Sequence, residues 1–121
     1  MIKVQTQLKI IDNSGVKKGQ AIKIYKGKTG KIGDIILISV KQVQPKSKQK
    51  IIKGNMFKAL IVRTKYNNKN LLNNYISFNE NSIILLNNQK VPIASRILGP
   101  IPSQLRKNKQ LKILSLASTI I

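Results

Sequence analysis

The chain has 121 residues, 41% of them hydrophobic, and sets 23 lysines and arginines against three acids, Asp12, Asp34 and Glu80, for a formal charge of +20. That is enough chain for one domain with its own core, but the charge repels itself unless a polyanion neutralises it, so nucleic acid is the leading partner. With no cysteine and no histidine, and three carboxylates far apart in sequence, disulfides, thiol chemistry, the usual zinc sites and the commonest general base are excluded; the chain reads as a binding protein, not an enzyme, with no cofactor and no metal.

The first residues, MIKVQTQLKIID, alternate as a strand and do not form an apolar or Arg/Ser-rich targeting segment. Within them residues 6–12 place Leu8 and Ile10 on one face. DNSG then closes a turn in which Asp12 or Asn13 bonds its own backbone and Gly15 takes positive φ. QAIKIYK, residues 20–26, resumes with Ile22 and Ile24 inward and Lys23 outward. The next segment, YKGKTGKIGD, contains the GKT of a phosphate-cradling loop, but the first glycine of that motif would fall on Ile22 and the residues that follow are β-branched, where a helix is required. It reads instead as an inter-strand turn shaped by Gly30, Gly33 and Asp34.

IILISVKQV follows, apolar on both faces at its start, as where a sheet curls into a closed barrel or packs under another segment. It forms one arm of a long hairpin, residues 35–44 and 56–65, whose tip PKSKQKIIKGN carries Lys46, Lys48, Lys50 and Lys53. Two short strands, YISF and SIILL, succeed an Asn-rich loop. From Pro92 on the texture changes: three of the four prolines lie here, and Ser103 is placed to cap a short helix QLRKNK. No apolar run approaches the roughly 20 residues that span a bilayer, so no membrane partner is expected.

DNSG, GD before an apolar strand, KALIVRTK, LLNN and SRILGP occur in that order, and on these motifs the sequence resembles the universal large-subunit ribosomal protein fourteen family over its whole length. The resemblance implies a mainly β fold: a small closed five-stranded β-barrel with a projecting β-hairpin ribbon over residues 1–91, and a C-terminal loop carrying short helices and a last strand over 92–121, together one domain. It implies a structural constituent of the large ribosomal subunit that binds large-subunit rRNA and contributes to intersubunit bridges with small-subunit rRNA. Further implied partners are the neighbouring large-subunit protein nineteen and a ribosome-silencing factor; a homo-oligomer is not expected. It places Ser95, Arg96 and Lys112 on the surface facing the small subunit or the silencing factor, and Arg106 and Lys107 are assigned with them to partner contact. Where the family has an Asp-Gly turn this chain has Leu72 and Asn73, and Asn is the non-glycine residue that best accepts the left-handed region.

Lys17, Lys18, Lys23, Lys26, Lys28 and Lys31 surround the first turns and are assigned, with Lys9, the four tip lysines and Lys65, to phosphate contacts that position the protein without reading sequence. Arg63 lies inside an apolar strand, where its planar fork can hold a phosphate bidentately, and it is assigned to RNA contact in preference to an ion pair with one of the few acids. Asp12 and Asp34 beside glycine turns read as turn caps, not magnesium ligands. The five scattered aromatics do not form a base-stacking platform. Lysine outnumbers arginine 20 to three, and Ile and Asn are abundant; these residues have A/T-rich codons, which points to synthesis in a mitochondrion, with another organelle or an A/T-rich bacterial cytoplasm as alternatives. The competing function is a free basic RNA chaperone or nucleoid protein.

Overall fold

The computed structural model describes residues 2–44, 51–66, 68–69, 75–106 and 111–121. Five strands close into a barrel in the order β1 (Gln7–Ile10), β2 (Val16–Ile24), β3 (Ile35–Val43), β4 (Met56–Arg63) and β7 (Ser82–Leu86). Neighbours are antiparallel except at the closing seam, where β1 runs parallel to β7 with Lys9 opposite Ser82 and Ile10 opposite Ile83. Two short strands, β5 (Asn68–Lys69) and β6 (Tyr75–Ile76), pair with each other between β4 and β7. The five-stranded barrel expected from the resemblance is therefore present, and the hairpin arms fall where the alternation put them. The tip residues 45–50, with Lys46, Lys48 and Lys50, lie outside the described residues, as do residues 70–74 with the Leu72–Asn73 turn.

Two hydrophobic cores explain the apolar texture. Leu8, Ile10, Val16, Ala21, Ile24, Ile36, Ile38, Ile61, Ile83 and Leu85 fill the barrel. On the outer side of β4 and β7, Leu60, Val62, Ile84 and Leu86 meet Ile97, Ile101, Leu105, Ile113 and Leu114 in a second core. Strands β4 and β7 are thus buried on both faces, which is why ALIV and SIILL are continuous apolar runs and not alternating ones. The second core is supplied by the C-terminal unit: β8 (Ile97–Ile101), a 3₁₀ turn (Ser103–Arg106), helix α1 (Leu111–Leu116) and β9 (Ala117–Ile120), with β8 and β9 parallel. The segment expected as a loop with short helices and a last strand thus also contains the strand ILGPI; in a two-stranded sheet Pro100 need not supply a ladder donor, and proline is tolerated there. Ser103, expected as a helix cap, itself opens the 3₁₀ turn and donates its N–H to the Ile121 carbonyl at 2.9 Å.

The strict period of two fails in β2, which begins four residues earlier than expected. Its register slips against β3 between Val16 and Lys18, between Lys18 and Gly19, and again between Ala21 and Lys23. A bulge opposes two residues to one, so two consecutive side chains leave the core face together. The pairs turned outward are Lys17 with Lys18 and Ile22 with Lys23. Ile22 is accordingly exposed, against the expectation that it faced inward with Ile24, and Ala21 takes the core position.

At the closing seam the β1–β7 ladder is prolonged by a side chain. Beyond Ile11, whose N–H reaches the Ile83 carbonyl at 3.2 Å, the buried Asp12 carboxylate accepts from Leu85 N–H at 3.0 Å through Oδ2, and from Ser14 N–H at 3.1 Å and Ser14 Oγ at 2.5 Å through Oδ1. The expected turn cap is therefore also a barrel seam. Asp12→Ala leaves these buried donors without their acceptor and is expected to cost about 3 kcal/mol, the scale of charge-assisted hydrogen bonds plus orphaned donors. Chemical denaturation should show it as a lower midpoint at unchanged slope; a loss under about 0.5 kcal/mol, the size of an ordinary surface substitution, would refute the seam role.

Candidate nucleic-acid interface

Cross-strand partners share a face of the sheet, and the registers align one row around the outside of the barrel. Arg63 stands opposite Ser82, Ser82 opposite Lys9, Lys9 opposite Lys18, and Lys18 opposite Gln42. A register slip between Ile61 and Arg63 places Arg63 in this outward row beside Val62. The C-terminal unit covers one end of the row, where Arg63 and Ser82 are buried; Lys9, Lys18 and Gln42 remain exposed at the other.

The open end is a groove of about 750 Å³ lined by Lys9, Lys17, Lys18, Lys65, Glu80 and Asn81, with Asp12, Asn13 and the β3 end at its margins. Lys9 directly opposite Lys18 is a like-charge pair, a destabilising arrangement that a bound anion would relieve. Glu80 offsets part of it: Oε2 lies 3.4 Å from Lys9 Nζ and Oε1 3.1 Å from Arg63 Nη1. Asn81 fixes both flanks, its carbonyl accepting from Lys9 N–H at 3.1 Å and its Oδ1 from Lys65 N–H at 2.9 Å.

The groove therefore gathers four of the expected phosphate-binding lysines from positions 9 to 65. The remaining described ones sit elsewhere. Lys26, Lys28 and Lys31 occupy the β2–β3 connection, beyond the end of β2 that lies roughly 20 Å from Lys18 at 3.3 Å per strand residue. There Asp34 accepts from Lys31 N–H at 2.8 Å and pairs with Lys26 Nζ at 3.3 Å, and Gly33 has φ 92°, so these two residues shape the turn as expected. Lys23 Nζ lies 5.4 Å from the centre of the Tyr25 ring, and Lys53 is exposed beside the β3–β4 tip. What the sequence grouped as the lysines of the first turns is thus divided between two ends of a nine-residue strand.

Arg63 has the opposite fate from the phosphate contact first considered. It is 8% exposed, and its donors reach partners within the chain: Nε to the Pro100 carbonyl at 2.8 Å, Nη1 to Glu80, and Nη2 to the Leu98 carbonyl. Burial lowers its pKa from the usual value, while the charge of Glu80 and its hydrogen bond act to raise it. The fork holds β8 to the barrel because two carbonyls and one carboxylate converge on one plane, an arrangement a lysine cannot reproduce.

Asn13, read from sequence only as a turn residue, reaches across to the C-terminal unit. Its Oδ1 accepts from Ser95 N–H at 3.0 Å and Arg96 N–H at 3.1 Å, and its Nδ2 donates to Ser95 Oγ at 3.0 Å. Ser95 and Arg96 are exposed, so this clamp presents them beside the groove margin. Gly15, with φ 93°, closes the same turn. Arg106 and Lys112 lie on the 3₁₀ turn and α1; Lys107 falls outside the described residues.

Gly99 is the second half of the Arg63 clamp. Its φ is 80°, and a Cβ there would collide with Arg63 Nη2. Gly54 has φ 89° but open space around it. Gly99→Ala is therefore expected to cost about 3 kcal/mol, and Gly54→Ala only the ~1 kcal/mol of left-handed strain. Parallel guanidinium melts of the two variants check the difference; equal losses would mean Arg63 moves aside freely.

The geometry is that of a basic groove on a doubly packed barrel, and the family model described as ribosomal protein L14p/L23e matches residues 1–121; the chain belongs to this family of structural proteins of the large ribosomal subunit.

Proposed function

We propose that this chain holds large-subunit rRNA through the Lys9, Lys17, Lys18 and Lys65 groove and bridges toward small-subunit rRNA through its C-terminal unit. The observation that carries the reading is the direct cross-strand pairing of Lys9 with Lys18, a repulsion built into the barrel that phosphate relieves by displacing condensed counterions. Lys23, Lys26, Lys28, Lys31 and Lys53, with Lys46, Lys48 and Lys50, form further backbone contacts at the other end and the ribbon, positioning without base readout. Arg63 is left out of this set because its donors serve β8.

Ser95 and Arg96, set by Asn13, with Arg106, Lys107 and Lys112, make the partner-facing surface toward the small subunit, a ribosome-silencing factor or large-subunit protein nineteen. The codon-linked Lys, Ile and Asn bias supports a mitochondrial ribosome as the site of action. Membership of a ribosomal family favours this reading over a free RNA chaperone, which would share the charge but not the fixed seat.

In a sucrose gradient of organelle lysate the protein is expected to sediment with large subunits both before and after magnesium removal splits the ribosome, and to leave them only in high salt. Spread through light fractions would end the ribosomal assignment. Arg96→Glu should leave large subunits intact but reduce their joining to small subunits. With isolated rRNA fragments, Lys9→Met and Lys18→Met should each weaken binding alike across sequences and reduce the slope of log affinity against log salt by about one; an unchanged slope would remove the groove from the RNA contact.

A further inference from the structure

The groove holds more than cations. Glu80 stands between Lys9 and Arg63 with its side chain 36% exposed, and the walls add the amides of Gln7, Gln42 and Gln44. Glu80 serves Arg63 and offsets Lys9, but toward a backbone phosphate its carboxylate is repulsive. An ionised carboxylate only accepts hydrogen bonds and has about four lone-pair sites. Glu80 uses one with Arg63 and one with Lys9, which leaves capacity for a donor arriving from the groove.

One ligand class carries both complements: a nucleotide has a phosphate for the lysines and, on adenine, cytosine or guanine, an exocyclic amino group that a carboxylate accepts. The groove volume, about 750 Å³, falls in the range of sites that enclose a small molecule, roughly 300–1,000 Å³. We propose that the groove takes a single unstacked RNA nucleotide, its phosphate between Lys9 and Lys18 and the exocyclic amine of its base on Glu80. The proposal rests on the reading of this groove as an RNA face and adds to it a choice of RNA structure and of base, which phosphate contacts cannot give.

The test is fluorescence anisotropy with the full chain and three RNA hairpins of one stem: fully paired, with one unpaired adenosine, and with unpaired purine riboside, which differs from adenosine only in lacking the amine. The adenosine hairpin is expected to bind about tenfold tighter than the other two, the usual discrimination of one good base contact. Glu80→Met should abolish that preference while raising affinity for the fully paired hairpin, because a negative charge is lost. Should this variant fail to fold, the three hairpins with the unaltered protein still decide. Equal, salt-dependent binding of all three overturns the nucleotide site and leaves the RNA reading standing. No binding to any hairpin overturns both.

Discussion

Five short strands close into a barrel only if they coil strongly, and the bulges that accompany this coiling govern the rest of the molecule. A bulge increases local twist and lets two adjacent side chains leave the core together. The register slips in β2 expose Lys17 with Lys18 and Ile22 with Lys23, and the slip in β4 turns Arg63 out beside Val62. The same irregularity that lets β1 meet β7 therefore also puts charge on the outside of the barrel.

What becomes of each exposed charge depends on which part of the barrel the C-terminal unit covers. Under the unit, β4 and β7 gain a second apolar face, and Arg63 is converted from a surface cation into the fork that holds β8 by two carbonyls and Glu80. Outside its edge, Lys9 and Lys18 face one another with water and Glu80 for company. Glu80 links the two regimes, one oxygen toward the buried arginine and the other toward the exposed lysine. The C-terminal unit is thus both the lid of the second core and the boundary of the groove, and Asn13 pins its Ser95–Arg96 corner beside that boundary.

A ribosomal protein of this charge is stabilised by its surroundings as well as by its contacts. Cations gathered in a groove raise the self-repulsion of the chain, a cost that a neutralising polyanion would lower. The two aliphatic cores and the Asp12 seam keep the barrel closed against that repulsion.

The sequence by itself determined the strand arms at 35–44 and 56–65, the inward face of Leu8 and Ile10, the turns at Asp12–Gly15 and Gly33–Asp34, and the basic charge, because these follow from local period, turn chemistry and composition. The family, too, was legible, since its motifs are contiguous stretches. Only the tertiary structure decided that Ile22 is exposed, that ILGPI is a strand, that Lys9 and Lys65 join Lys17 and Lys18 while Lys28 does not, and that Arg63 binds carbonyls within the chain. Each of these depends on register across strands or on which surface another segment covers. Pairing between residues tens of positions apart leaves no mark in the local alternation of the chain.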